Sequence, residues 1–70
     1  MTADDIAIQA KIAASLGQFK PDDAAIIAYR FGTASGTPAM DEDVFARFPD
    51  LTRERLRRLE ARAMATARKR

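Results

Sequence analysis

Thr52-Arg53-Glu54-Arg55-Leu56-Arg57-Arg58-Leu59-Glu60-Ala61-Arg62-Ala63 is the stretch on which the fold of this chain turns. Five arginines share it with two glutamates and two leucines, and neither Gly nor Pro interrupts it, so the spacing predicts one charged helix. At about 100° per residue, Leu56, Leu59, Ala63 and Thr52 fall on one narrow stripe facing a core. Glu54, Arg57, Arg58 and Ala61 lie on the opposite face, and Arg53, Arg55 and Arg62 stand on the flanks. A helix lying in a DNA groove distributes its side chains in this way.

The charge around this helix is segregated. Four basic and eight acidic side chains precede Arg53, a net charge of −4, whereas eight basic and two acidic ones follow from Arg53 onward, a net charge of +6. A basic helix beside an acidic scaffold points to a polyanion as partner, with the scaffold kept from sticking to it. A solvated helix face is the plainer reading of the same charges. The 70 residues make one domain, 1–70, of a size that folds alone only with efficient helix packing or a staple. Cys and His are both absent, which removes disulfides and the usual zinc ligands, so neither a metal nor a cofactor is expected. No apolar run approaches the ~20 residues of a membrane span, and Met1-Thr2-Ala3-Asp4-Asp5 has the acidic start that secretory signals avoid. A cytoplasmic protein with no membrane partner is expected.

Upstream, the pattern predicts three further helices. The first covers 3–16, with Thr2 as N-cap, Asp4 and Asp5 in its first turn, an Ile8, Ile12, Leu16 stripe, and Gly17 as its stop. The second covers 21–31, opening on Pro21-Asp22-Asp23 and burying Ala24, Ile27 and Phe31; Ile26, Tyr29 and Arg30 extend beyond that stripe. Gly32-Thr33-Ala34-Ser35-Gly36-Thr37-Pro38 is a loop that lacks the lysine and the preceding strand of a phosphate-binding loop. Thr37 and Pro38 read as N-cap and first residue of a third helix, 38–48, whose apolar line is Met40, Val44 and Phe48, with Phe45 beside it. Pro49 ends it. A tight turn, 48–51, with Asp50 or Thr52 as the next cap, leads into the basic helix, 51–68, and Arg68-Lys69-Arg70 frays beyond. A short acidic helix, a turn and a longer basic helix is the outline of a helix-turn-helix at 38–68. The expected fold class is therefore all-α, a four-helix unit. No heptad seam or long exposed apolar stripe demands a mate, so a monomer is expected.

Thr52 to Met64 closely resembles the recognition helix of region 4 in primary bacterial RNA polymerase sigma factors, whose pattern is T-R-E-R-[IV]-R-Q-I-E-A-K-A-L. Upstream, Ala24-Ala25-Ile26-Ile27-Ala28-Tyr29-Arg30-Phe31-Gly32 is similar to the family's segment ending in Arg-Phe-Gly. The resemblance covers about Ile8 to Arg68. It implies a helix seated in the major groove at the −35 promoter element, with apolar upstream helices gripping the flap of the polymerase β subunit. Carried over position by position, Arg53 and Glu54 reach base edges, while Thr52, Arg55 and Arg57 mainly hold phosphates. Arg62 completes the DNA-facing set from the flank. Ile26, Tyr29 and Phe31 are the candidates for the polymerase contact, an ordinary core role being the plainer reading of Ile26 and Tyr29.

Three departures bear on specificity. Arg58 stands where the family has glutamine, so it reads a different base or clamps a phosphate. Ala65 and Thr66 replace two basic residues. The 48–51 turn is one residue longer than the family's if Phe48 takes the aromatic place; a gap-free register puts Phe45 and Ala46 there instead. A sigma-like domain is expected rather than a sigma factor, since 70 residues cannot hold the regions that bind the polymerase core and melt DNA.

The leading expectation is a transcription module of the nucleoid that binds double-stranded promoter DNA and contacts RNA polymerase. If four to six phosphates are neutralised, log affinity falls with log salt at a slope of roughly −4 to −5. The alternative is a protein-interaction module that docks on RNA polymerase or a regulator with little DNA binding of its own. Catalysis is not expected: without His or Cys, no nucleophile stands beside a plausible base. Asp41-Glu42-Asp43 could hold a hard cation, but consecutive helical residues point apart, and an N-terminal dipole role accounts for them.

Overall fold

The computed structural model describes residues 3–68, and side chains from Ile6 to Arg68. Thr2 as a cap and the fraying of Lys69 and Arg70 therefore lie outside the described residues. Four α-helices run in the predicted order: α1 (Ala3–Ser15), α2 (Pro21–Phe31), α3 (Asp41–Arg47) and α4 (Arg53–Arg68). Their Cα radius of gyration is 11.3 Å, against about 11 Å for a folded globule of this length. The apolar stripes have met.

Those stripes converge on one core. Ile12 from α1, Ile27 from α2, Val44 from α3 and Leu56 from α4 are the largest fully buried side chains, joined by Ile26, Leu51, Leu59, Ala63 and Ala67. The long helix α4 packs chiefly along α1, where Ala63 and Ala67 allow close approach, and α2 touches α1, α3 and α4. That central position explains Ile26. The helix is covered on more than one side, so Ile26 is 3% exposed and belongs to the core; of the three polymerase candidates it has no surface to offer. Phe31 is half-buried against the core, and only Tyr29 is exposed.

The helix ends follow from local chemistry, with three corrections to the sequence reading. First, α1 does not stop on a left-handed Gly17. It ends at Ser15, whose hydroxyl donates to the Ile12 carbonyl (2.9 Å), and the chain tightens into a 3-10 turn over Leu16–Gln18. Second, α3 begins at Asp41, so Thr37 and Pro38 are neither its cap nor its first residue. The segment before it is drawn across the end of α2 instead. Gly32 takes φ +68° as the left-handed residue after α2, the Thr33 N–H reaches back to the Ala28 carbonyl (3.1 Å), and the chain then folds over Gly32. Ala39 is held there at both polar groups: its N–H donates to the Arg30 carbonyl (3.1 Å) and its carbonyl accepts from Arg30 Nη1 (3.0 Å). Those bonds hold 38–40 out of the helix. Met40, expected in the apolar line, is consequently 70% exposed. Third, α4 starts at Arg53 rather than at residue 51, because Thr52 is its cap and Leu51 is tucked into the core.

The end of α2 is also tied to α1. Gln9 Nε2 donates to the Phe31 carbonyl at 2.8 Å, satisfying one of the carbonyls that a helix terminus leaves over. Among the described residues, no helix is long and apolar enough to cross a membrane.

Candidate nucleic-acid interface

The polar surface of α4 is built from its cap outward. Thr52 Oγ1 accepts the Arg55 N–H (3.1 Å) and the Thr52 carbonyl accepts the Leu56 N–H (3.0 Å), which fixes where the helix begins. Thr52 is exposed, so this cap stands outside the buried stripe of Leu56, Leu59, Ala63 and Ala67. Beyond the cap, the arginines divide into three environments.

Two are ion-paired to the acidic half of the chain. Arg55 Nη2 donates to Asp23 Oδ1 at 2.6 Å, and Asp23 keeps only 13% of its side chain exposed, so this pair straps the head of α4 to the first turn of α2. Arg57 donates through both terminal nitrogens, Nη1 to Glu60 Oε1 (2.9 Å) and Nη2 to Asp41 Oδ2 (3.2 Å). Arg30 completes this group from the last turn of α2, with Nε 2.8 Å from Glu60 Oε2 and 3.4 Å from Asp41 Oδ1. Arg30, Asp41, Arg57 and Glu60 thus form a closed ring of alternating charge joining α2, α3 and α4. The hydrogen bond to Glu60, then the charges of Glu60 and Asp41, push the Arg57 pKa above its ordinary value.

Two more arginines lie over aromatic rings. Arg53 sits 5.5 Å from the centre of Phe45 on α3, and Arg62 sits 5.0 Å from the centre of Phe19 in the link before α2. A guanidinium over a ring is attracted through its π face, which leaves the N–H groups at its edge free for another acceptor. Arg58 is in the third environment. Among the described residues it is ion-paired with Glu54 alone, one turn back, at 3.9 Å, and the two side chains are 70% and 83% exposed. Such a pair is loose, worth at most a few tenths of a kcal/mol.

The predicted site residues are therefore together on one helix, yet not equivalent. Glu54 and Arg58 stand at the middle of the outward face. Arg53 is on the flank toward α3 and Arg62 on the flank toward Phe19, while Arg55 and Arg57 are turned to acids of the scaffold. Between them Ala61 and Ala65 are exposed and small, so the helix backbone is approachable along this face. The sequence reading did not find Arg30, Asp41 and Glu60 as partners of Arg57. The acidic first turn of α3 reads from the sequence as a dipole feature and Arg30 as a residue beyond the apolar stripe of α2, neither as part of a ring.

A smaller feature lies on α2 and the turn before α4. Tyr29 meets Phe48 edge to face (6.0 Å between centres, 72° between planes), and the Arg47 guanidinium lies 5.4 Å from the Tyr29 ring. Comparison of the chain with protein-family models, curated proteins and solved structures yields no match.

Proposed function

We propose that the chain is a DNA-binding transcription module of the sigma region 4 kind, with α3 and α4 as a helix-turn-helix that seats α4 in a major groove. One observation carries the reading. A single capped helix exposes Glu54 and Arg58 at the centre of its outward face, with ring-stacked Arg53 and Arg62 on either side. The chemistry suits base edges: an arginine can donate to O6 and N7 of guanine together, and a glutamate can accept from the amino group of cytosine, each worth about 1–3 kcal/mol of discrimination. Such a module acts on promoter DNA in the cytoplasm. Fluorescence anisotropy with labelled duplexes tests it: binding at low salt that is lost in Arg58→Glu is expected, and no binding at low salt by the wild type overturns it.

A second reading has one observation in its favour. Arg55 and Arg57, which the resemblance assigns to phosphates, are already neutralised by Asp23, Asp41 and Glu60. A protein-interaction module would need no more free charge than remains, and the exposed Tyr29 beside Phe48 and Arg47 would be its contact with RNA polymerase or a regulator. Pull-down with purified polymerase separates the two: retention of Arg58→Glu supports the second reading, and failure to retain the wild type counts against it.

A further inference from the structure

Resting on the DNA-binding reading, we infer that the arginines of α4 have divided labour: Arg53 and Arg62 take the phosphates and Arg58 faces the base edges between them, whereas Arg55 and Arg57 are struts that build the helix onto its scaffold. This reverses the assignment that the family resemblance implies for Arg55 and Arg57.

A guanidinium meets its acceptors at its edges. A phosphate oxygen is bound by N–H groups in the plane of the guanidinium, the same groups that bind a carboxylate. In Arg57 both terminal nitrogens are directed at carboxylate oxygens, at 2.9 and 3.2 Å. In Arg55 one terminal nitrogen is held at 2.6 Å by the largely buried Asp23. To move Arg55 to a phosphate would leave the largely buried Asp23 without this partner, and to move Arg57 would leave Asp41 and Glu60 to share Arg30 alone, which costs more than an exposed pair returns.

The net charges agree with the geometry. Arg30, Asp41, Arg57 and Glu60 sum to zero, as do Arg55 and Asp23, so an approaching duplex meets two neutral groups at these places. Arg53 and Arg62 differ in kind. Their partners are the rings of Phe45 and Phe19, 5.5 and 5.0 Å away, and a cation–π contact does not use up the N–H donors as a carboxylate does. Arg58 has only a 3.9 Å contact with an exposed glutamate to give up. On the helix, Arg53 and Arg62 are nine residues apart, about 13.5 Å along the axis, against a major groove about 12 Å wide. They lie on opposite flanks of the Glu54 and Arg58 face, so the two can address the two edges of one groove.

Salt dependence counts phosphates directly, because each phosphate neutralised contributes about −0.9 to the slope of log affinity against log salt. Anisotropy with a fluorescein-labelled duplex of mixed sequence, from low to moderate salt, is the test. Arg53→Ala and Arg62→Ala are each expected to flatten the wild-type slope by about 0.9. Arg57→Ala and Arg55→Ala are expected to leave it unchanged and to lower the thermal unfolding midpoint instead. Should either of those two fail to fold, Asp23→Asn and the double variant Asp41→Asn with Glu60→Gln give the converse result: releasing Arg55 or Arg57 makes a phosphate contact available and steepens the slope. A flatter slope in Arg57→Ala with none in Arg62→Ala, or no steepening in either amide variant, overturns the division while leaving DNA binding in place. A wild type that does not bind the duplex overturns the DNA reading and this inference with it.

Discussion

Replacing Gly32 by alanine tests how the loop before α3 is held. An ideal Cβ at this position would stand 2.4 Å from both the carbonyl carbon and the carbonyl oxygen of Thr37, and 2.7 Å from the nitrogen of Pro38. These are backbone atoms, which cannot swing aside as a side chain does. An ordinary carbon contact is roughly 3.5–4.0 Å, so 37–38 would have to retreat by about 1 Å or more. Ala39 follows directly, and its two bonds to Arg30, at 3.1 and 3.0 Å, would stretch with it. The left-handed backbone at φ +68° adds strain of about 1–2 kcal/mol for a residue with a Cβ. Two weakened hydrogen bonds add about 0.5–1.5 kcal/mol each, so the total is about 2–5 kcal/mol. A chain of this length has about 4–10 kcal/mol of stability altogether, and each kcal/mol moves the midpoint by about 4–8 °C. Circular dichroism of thermal unfolding should therefore show Gly32→Ala falling by about 8–40 °C or not folding. The control is Gly36→Ala, which has a similar φ of +81° but open space around it, and which should lose only the strain of about 1–2 kcal/mol. If Gly32→Ala were no less stable than Gly36→Ala, the packing of 37–38 over Gly32 would be wrong.

Other expectations follow from the core, the cap and the charge ring. Leu56→Ala empties a fully buried site and should cost about 2–5 kcal/mol in urea unfolding, whereas Ile6→Ala, at 56% exposure, should stay within about 0.5 kcal/mol of the wild type. Thr52→Ala removes the acceptor of the Arg55 N–H and should cost about 1 kcal/mol by the same measurement. The raised pKa of Arg57, due first to its hydrogen bond with Glu60, sets a pH expectation. A base whose folded pKa is raised contributes stability in full below its unfolded value and loses it only as pH rises through the folded one. The midpoint difference between the wild type and Glu60→Gln should therefore not shrink through loss of the Arg57 proton between about pH 7 and pH 10; a ring failing in that window would show that Arg57 is not what Glu60 holds.

The buried stripes were legible because helical spacing is a local property. Ile12, Ile27, Val44, Leu56, Leu59 and Ala63 could each be placed by counting threes and fours along their own helix, and each is buried. Pro21 at the head of α2 and Pro49 after α3 were legible for a similar reason, since proline acts on its immediate neighbours. What could not be read depended on residues far along the chain. Ile26 lies off the main stripe of α2, so the sequence leaves a partner contact open beside the plainer core role, and its three neighbouring helices decide for the core. Thr37 and Pro38 have the composition of a helix start, but tertiary bonds from Arg30 to Ala39 override that preference. The ring had one local signal, the Arg57 and Glu60 pair three residues apart; its other members are joined over long distances, Arg30 and Glu60 being thirty positions apart.

The opposed charges of the two halves take on a different meaning once the pairs are traced. Read along the chain, an acidic scaffold beside a basic helix suggests a scaffold repelled by the helix's ligand. In space, Asp23 and Asp41 of the acidic half are the partners of Arg55 and Arg57, so the segregation is also how the halves are joined. The helix needs this. Arg53 and Arg57, and Arg58 and Arg62, are like charges at four-residue spacing, an arrangement that destabilises an isolated helix by a few tenths of a kcal/mol per pair. Glu60 and the two scaffold aspartates offset that repulsion on the flanks, and Phe45 and Phe19 receive the guanidiniums that no acid meets. Arg58 and Glu54 alone are left to solvent on the outward face. A charge run whose sole purpose was solvation would not need its flanks neutralised and its remaining arginines oriented by rings. Five of the six arginines of α4 can be carried within its first three turns because two are spent within the fold, and the other three are displayed across the outward face, Arg58 at its middle and Arg53 and Arg62 on its two flanks.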